Sequence, residues 1–168
     1  MKGRRKKEEG RSGATAPFVA GAAAPACPLP SSFFLLPSFR VRAWNRDADY
    51  PLFCEWWAAH GSLAPACARL PDCGLVVEAG GAPALAAWLY QDNSCGVGWL
   101  AWFVGKPRCR DAARALPVLL GAADEVMRSQ GRHTLLALTG KRGLGRALAR
   151  HGYSREHTET QYWRILQW

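Results

Sequence analysis

Three apolar segments separated only by short turns occupy the middle of the chain: Cys73 to Glu78, Ala84 to Tyr90 and Val97 to Val104. Gly80-Gly81, between the first two, suits a two-residue hairpin turn, because both central positions of such a turn need positive φ. Gln91-Asp92-Asn93-Ser94 supplies the second turn. Strands joined in this way form an antiparallel meander. A three-stranded meander does not stand alone, so other elements must cover at least one of its faces.

The cover follows in the sequence. Arg110 to Gln130 sets Leu116, Leu119, Leu120, Ala123, Val126 and Met127 at spacings of three and four, a helical stripe that Gly131 stops. Pro117 lies inside this stretch, so the helix either kinks there or begins near it. Thr134 to Thr139 is a short apolar strand suited to the middle of a sheet. Lys141 to Arg150 makes a basic helix with Leu144 and Leu148 inward, ended by Gly152. Glu156 to Leu166 then alternates, with Thr158, Thr160 and Tyr162 on one face, as a closing strand or two strands with a bend. Upstream, Phe39 to Trp44 alternates apolar with polar. Asp47 or Asp49 can cap the helix that follows, whose first turn tolerates Pro51, with Leu52, Phe53, Trp56 and Ala59 inward and Gly61 at its end.

Residues 1–38 read differently: a charged head, then Ala/Gly/Pro-rich sequence broken by Pro25, Pro28, Pro30 and Pro37. This segment is expected to be a disordered tail, leaving 39–168 as the single domain. The 168 residues, 49% of them apolar, suffice for one core, and eight tryptophans argue against disorder of the main body. The net charge of +9 divides unevenly: residues 1–38 hold six cations against two anions, so the domain itself carries only +5. That is short of a dedicated nucleic-acid stripe and suits a phosphorylated ligand. No run of 18 apolar residues exists to span a membrane. The six cysteines and four histidines contain no Cys-x-x-Cys or His-x-x-x-His pair, so no metal is expected. Free, mostly buried thiols in a cytoplasmic protein are expected rather than disulfides.

The order strand, helix, three strands, helix, strand, helix, strand resembles that of the GNAT superfamily of acyl-CoA N-acyltransferases. Three local features carry the resemblance: the Arg-rich opening strand ending in Asn45-Arg46-Asp47-Ala48-Asp49; the strand ending in Val104 followed by Arg108-Cys109-Arg110-Asp111-Ala112-Ala113 and a helix; and the strand, helix and Gly152-Tyr153 ending. The second is similar to the family's cofactor motif, Arg/Gln-x-x-Gly-x-Gly/Ala. Together they cover residues 39–168. The resemblance implies an α+β fold with a central mixed, mostly antiparallel sheet flanked by helices. It also implies acetyl-CoA as co-substrate and an amine as acceptor.

A loop that leaves a strand and opens a helix exposes unpaired amides and the positive end of the helix dipole, which together bind a pyrophosphate. Arg108 and Arg110 would add charge-assisted bonds there. By the resemblance, Phe103 and Val104 would pair with the pantetheine arm, and Cys109, Ala112 and Ala113 complete the cofactor-binding set. Asp111 stands where the family pattern has glycine; its carboxylate would repel a phosphate unless it turned away to cap the helix. Cys109, between two arginines at the presumed helix start, is not expected to act as a nucleophile, because direct transfer needs no covalent intermediate.

For proton transfer, Glu78 is the only carboxylate inside a strand of the meander, with a paired surface position as its plainer role. Tyr162 is a phenol in the closing strand, whereas Tyr153 reads as core and His133 and His151 as surface or capping residues. An alternative is a catalytically inactive module of the same fold, using aromatics left exposed (Trp56 or Trp57, Trp102, Trp168), and a homodimer would fit it. A second alternative is a nucleic-acid-binding accessory protein using Arg142, Arg146 and Arg150, which share a helix face, although no aromatics are interleaved for stacking.

Overall fold

A computed structural model describes residues 38–91, 96–155 and 161–165. The tail through Pro37, the end of the second turn (92–95), and residues 156–160 and 166–168, including Trp168, lie outside the described residues. The elements run β1 (Phe39–Ala43), α1 (Arg46–Ala59), β2 (Gly74–Ala79), β3 (Ala82–Gln91), β4 (Val97–Gly105), α2 (Arg110–Arg114), α3 (Leu116–Ser129), β5 (Thr134–Leu138), α4 (Arg142–Arg150), β6 (Ser154–Arg155) and β7 (Gln161–Ile165). A 3-10 turn at Cys67–Arg69 punctuates the α1–β2 connection. The strands form one sheet in the order β1-β2-β3-β4-β5-β7-β6. Every ladder is antiparallel except β4–β5. A parallel pair needs a crossover, and α2 and α3 provide it. The sheet is thus mixed and mostly antiparallel, as expected, and its closing segment is two strands.

Both faces of the meander are covered. On one side Leu75, Val77, Ala87, Leu89 and Leu100 pack with Leu119, Val126 and Met127 of α3 and Leu148 of α4. On the other, Val76, Ala86, Trp88 and Val104 pack with Phe53, Trp56 and Trp57 of α1 and with Trp44. Burial from both sides is why Leu75, Val76 and Val77 are all inaccessible despite the alternation of the strand. Gly80 and Gly81, at φ 58° and 82°, make the expected hairpin turn.

Several local expectations change. The cap of α1 is Asn45, whose side chain accepts from the amides of Asp47 and Ala48, both at 3.1 Å. Asp49 instead turns inward, 5% exposed, because Arg42 waits there. Trp56 and Trp57 are each only 5% exposed, so neither offers a surface. The long helix is two: α2 and α3 meet at Ala115, since Pro117 has no amide to continue the first helix's hydrogen bonds. Cys54, Cys67 and Cys109 are free thiols, but Cys73 is disulfide-bonded, against the expectation of free thiols throughout. Whether two cysteines bond depends on their approach in space, which spacing along the chain does not reveal.

Trp88 organises the α1-side core. Its ring meets Trp44 and Phe53 edge-on at centroid distances of 5.3 and 5.6 Å and stacks on Trp57 at 5.6 Å. Gly74 passes between two of these indoles: a methyl there would collide with the Trp44 ring and come within 2.7 Å of Trp88 Nε1. Neither ring can swing aside, so Gly74→Ala is expected to cost about 1–3 kcal/mol as an overpacked core does. Thermal unfolding checks this, and an unchanged Tm would contradict it.

Candidate functional site

β4 pairs with β5 only from Val97 to Leu100, opposite Thr134 to Ala137, while its ladder with β3 continues to Gly105. Among the described residues, Ala101–Gly105 therefore has no strand partner on the β5 side. The two parallel strands part there because β5 ends at Leu138 and the chain turns into α4, whereas β4 runs on. A cavity of about 570 Å³ opens beside the parting. Phe103, Leu85 and Leu116 give it an apolar floor, and Gly143, Leu144 and Ala147 of α4 form the facing wall. Lys106, Arg108, Arg110 and Arg150 ring it, and among the described residues no carboxylate lines it.

The loop from β4 into α2 is a tight turn. Lys106 donates its amide to Ala84 at 2.8 Å, and Cys109 closes the turn by donating to the Lys106 carbonyl at 3.3 Å. Pro107 and Arg108 occupy the middle, with Arg108 at φ 56°. A non-glycine residue held in this left-handed region costs about 1–2 kcal/mol, so the surrounding turn fixes it against a preference. Cys109 is the N-cap of α2, and among the described residues no side chain caps that end. The first-turn amides of Arg110, Asp111 and Ala112 therefore lack intrahelical acceptors. Asp111 does not turn away from the loop by capping the helix. It sits in the first turn and accepts from Arg114 Nη1 at 3.4 Å, and it is not among the residues lining the cavity.

Of the sequence-derived cofactor set, Phe103, Arg108, Cys109, Arg110, Ala112 and Ala113 all line this one cavity. Val104 does not: its side chain is 2% exposed beneath α1, leaving only its backbone at the open edge of β4. His60, the C-cap of α1, was not singled out from the sequence. Its Nε2 lies 2.8 Å from the Gly105 carbonyl, and it lines the cavity at the point where the loop departs. Nothing local marks that contact, which joins residues 45 apart. Arg150, read from the sequence as one of three helix-face arginines, lines the cavity as well, whereas Arg142 and Arg146 do not.

The two residues considered for proton transfer sit differently. Glu78 accepts from Arg42 Nε at 2.6 Å, and Arg42 also grips Asp49 through two bonds of 2.6 and 2.8 Å. This three-member ion pair ties β1, β2 and the start of α1 together. Tyr162 lies in the cross-strand row Leu100, Ala137, Tyr162, the last row before β4 and β5 part. Tyr153 is core at 3% exposed, and His151 caps the end of α4.

Burial pushes the Asp49 carboxyl up, but the Arg42 guanidinium and the Asn45 amide, which donates at 2.7 Å, outweigh it and hold the group below the usual carboxylate range. A depressed folded value means stability that is present above the unfolded carboxylate value, near about pH 4. That stability is lost as pH falls through the folded value. Asp49→Asn is expected to cost about 2–4 kcal/mol at pH 7 by leaving Arg42 half-paired. Denaturation followed between pH 6 and 2.5 should show a shallower acid limb in the variant than in the parent; parallel limbs would contradict the assignment.

No protein-family model and no curated protein sequence matches the chain. Solved structures do match. Ard1 from Thermoplasma volcanium superposes with a TM-score of 0.62 at 13% identity, covering 78% of this chain and 99% of that one. An acetyltransferase of the GNAT family from Streptococcus pneumoniae gives 0.56 at 13% identity, covering 77% and 99%. N-acetylglutamate synthase from Neisseria gonorrhoeae, complexed with coenzyme A and N-acetyl-glutamate, gives 0.63 at 17% identity. The match covers 77% of this chain but only 35% of the synthase.

Proposed function

We propose that this chain, whose fold is that of the GNAT acetyltransferases, transfers an acetyl group from acetyl-CoA directly to an amine. The observation that carries the reading is the cavity beside the unpaired half of β4, ringed by four cations, with the Asp111 carboxylate drawn off toward Arg114. The pyrophosphate of the donor would rest on the first-turn amides of α2 and on Arg108 and Arg110. The pantetheine arm would run along the free edge of Ala101–Gly105, pairing with the backbone groups that no strand among the described residues satisfies. The thioester would then reach the row where β4 and β5 part.

There the amine nitrogen, once deprotonated, attacks the thioester carbonyl, a C–N bond forms, and the C–S bond breaks. The proton lost by the ammonium leaves through solvent or a base, and the departing thiolate takes one up. Tyr162, whose backbone lies in the row that ends the β4–β5 ladder, is the residue we assign as proton donor to that thiolate. Glu78 is engaged by Arg42 and serves the fold in this reading.

The test is release of free thiol from acetyl-CoA in the presence of a panel of primary amines and peptides with free N-termini. Turnover that Arg108→Ala reduces supports the reading. Saturable acetyl-CoA binding with no turnover on any amine would favour the inactive module instead, a reading to which the commitment of Glu78 to an ion pair lends itself.

A further inference from the structure

Trp102 combines three features that packing does not account for. Its φ is 58°, a conformation in which a bulky residue is strained and glycine is not. It lies in a bulge: β3–β4 pairing passes from Trp88↔Ala101 to Ala86↔Val104, so Trp102 and Phe103 together face the single Ala87. Its side chain is 40% exposed. A ring kept for the core would be buried, and a bulge kept for strand curvature would be served better by glycine.

The ring is nevertheless fixed. Trp102 Nε1 donates to the Tyr90 hydroxyl at 2.7 Å, and that hydroxyl donates to the Arg69 carbonyl at 2.7 Å. The chain of bonds anchors the indole to the α1–β2 connection, on the α1 side of the sheet. Phe103, the next residue, packs toward the α3 side and lines the cavity. The unpaired stretch of β4 thus has the cation-ringed cavity, where the reading above puts the donor, on one side and a hydrogen-bonded, part-exposed indole on the other. An acceptor cannot enter through a cleft that the donor fills, so it must approach from the side of Trp102.

We propose that Trp102 is the wall of the acceptor site and that its exposed indole receives the acceptor as a primary alkylammonium, by the attraction of a cation to an aromatic ring. Tyr90 is a positioning residue, holding the ring through its hydroxyl. The proposal rests on the acetyl-transfer reading above and names the chemistry of its acceptor side.

The probes are n-hexylammonium and its neutral counterpart n-hexanol, titrated into the protein saturated with CoA, which has no acetyl group to transfer, while the indole N–H resonance of Trp102, assigned from its disappearance in Trp102→Phe, is followed. The ammonium is expected to shift that resonance saturably and at least about fivefold more tightly than the alcohol. In turnover, Trp102→Gly should raise the KM for hexylamine by about tenfold and leave the KM for acetyl-CoA unchanged, with Trp102→Phe and Tyr90→Phe in between. Because glycine accepts φ 58° freely, Trp102→Gly should unfold no lower than the parent. An amine KM indifferent to Trp102→Gly, with acetyl-CoA still bound, overturns this proposal alone. A change of oligomeric state with amine affinity intact also overturns it, by assigning the ring to an interface. Failure of the parent to bind acetyl-CoA overturns the acetyl-transfer reading, and this proposal with it.

Discussion

Replacing Arg108 and Arg110 together by alanine is expected to weaken acetyl-CoA binding by about two orders of magnitude while leaving the fold intact. Each guanidinium lines the cavity beside the uncapped start of α2. A hydrogen bond to a charged group contributes about 1.5–3 kcal/mol, and exposure of these side chains places them at the lower end, so two losses amount to about 3 kcal/mol, or roughly 100-fold. Neither arginine is in an ion pair among the described residues, so no structural partner is orphaned. Arg108→Gly sharpens the comparison. It removes the charge but accepts φ 56° without strain, so binding should fall by about tenfold with no loss of stability. Binding unchanged in the double variant would mean that the cavity does not hold a polyanion.

The largest effect on stability is expected at Trp88. It is fully buried, and its ring contacts Trp44, Phe53 and Trp57, so the α1-side core is built around it. Truncating a buried aromatic to alanine costs about 3–5 kcal/mol, a large share of the 5–15 kcal/mol that holds a typical domain. Trp88→Ala should therefore lower the urea midpoint by about a fifth or more, or leave the chain unfolded at 37 °C. Trp102→Gly, at an exposed and strained ring in the next strand, should do neither. A loss below about 1 kcal/mol at Trp88 would show that α1 does not depend on this contact.

The contrast between those two tryptophans marks where the sequence was informative. Strand alternation and turn residues announced β2, β3 and β4 and the hairpin at Gly80-Gly81, because those signals are local. The leucine stripe of α3 was equally plain. Which aromatics are covered was not: Trp56 and Trp57 on α1 are buried only because a second face of the sheet lies beneath them, a fact about packing across more than 30 residues. The cap at Asn45 was missed in favour of Asp47 or Asp49; Asp47 instead donates its amide to Asn45, and the Asp49 carboxylate is claimed by Arg42. At the site, the motif residues 108–113 could be picked out as a strand-to-helix loop, and five of those six meet at one cavity. Its far wall could not be picked out, because Leu144 and Ala147 look like ordinary inward positions of a short helix. The left-handed Arg108 and Trp102 carry no local signature either; each is set by what the turn or the bulge imposes.

The central claim is that the cavity beside the free edge of β4 binds an acyl-CoA. Thermal unfolding of the parent chain with and without acetyl-CoA, paired with the Arg108→Ala/Arg110→Ala variant, addresses it most directly. A ligand that binds only the folded state at 100 times its Kd adds about 2.7 kcal/mol, which for a domain of this size raises Tm by about 5–10 °C. That rise is expected in the parent, and less than about a third of it in the variant at the same concentration. A folded parent whose Tm does not move at millimolar acetyl-CoA, or one that moves equally in both proteins, would contradict it.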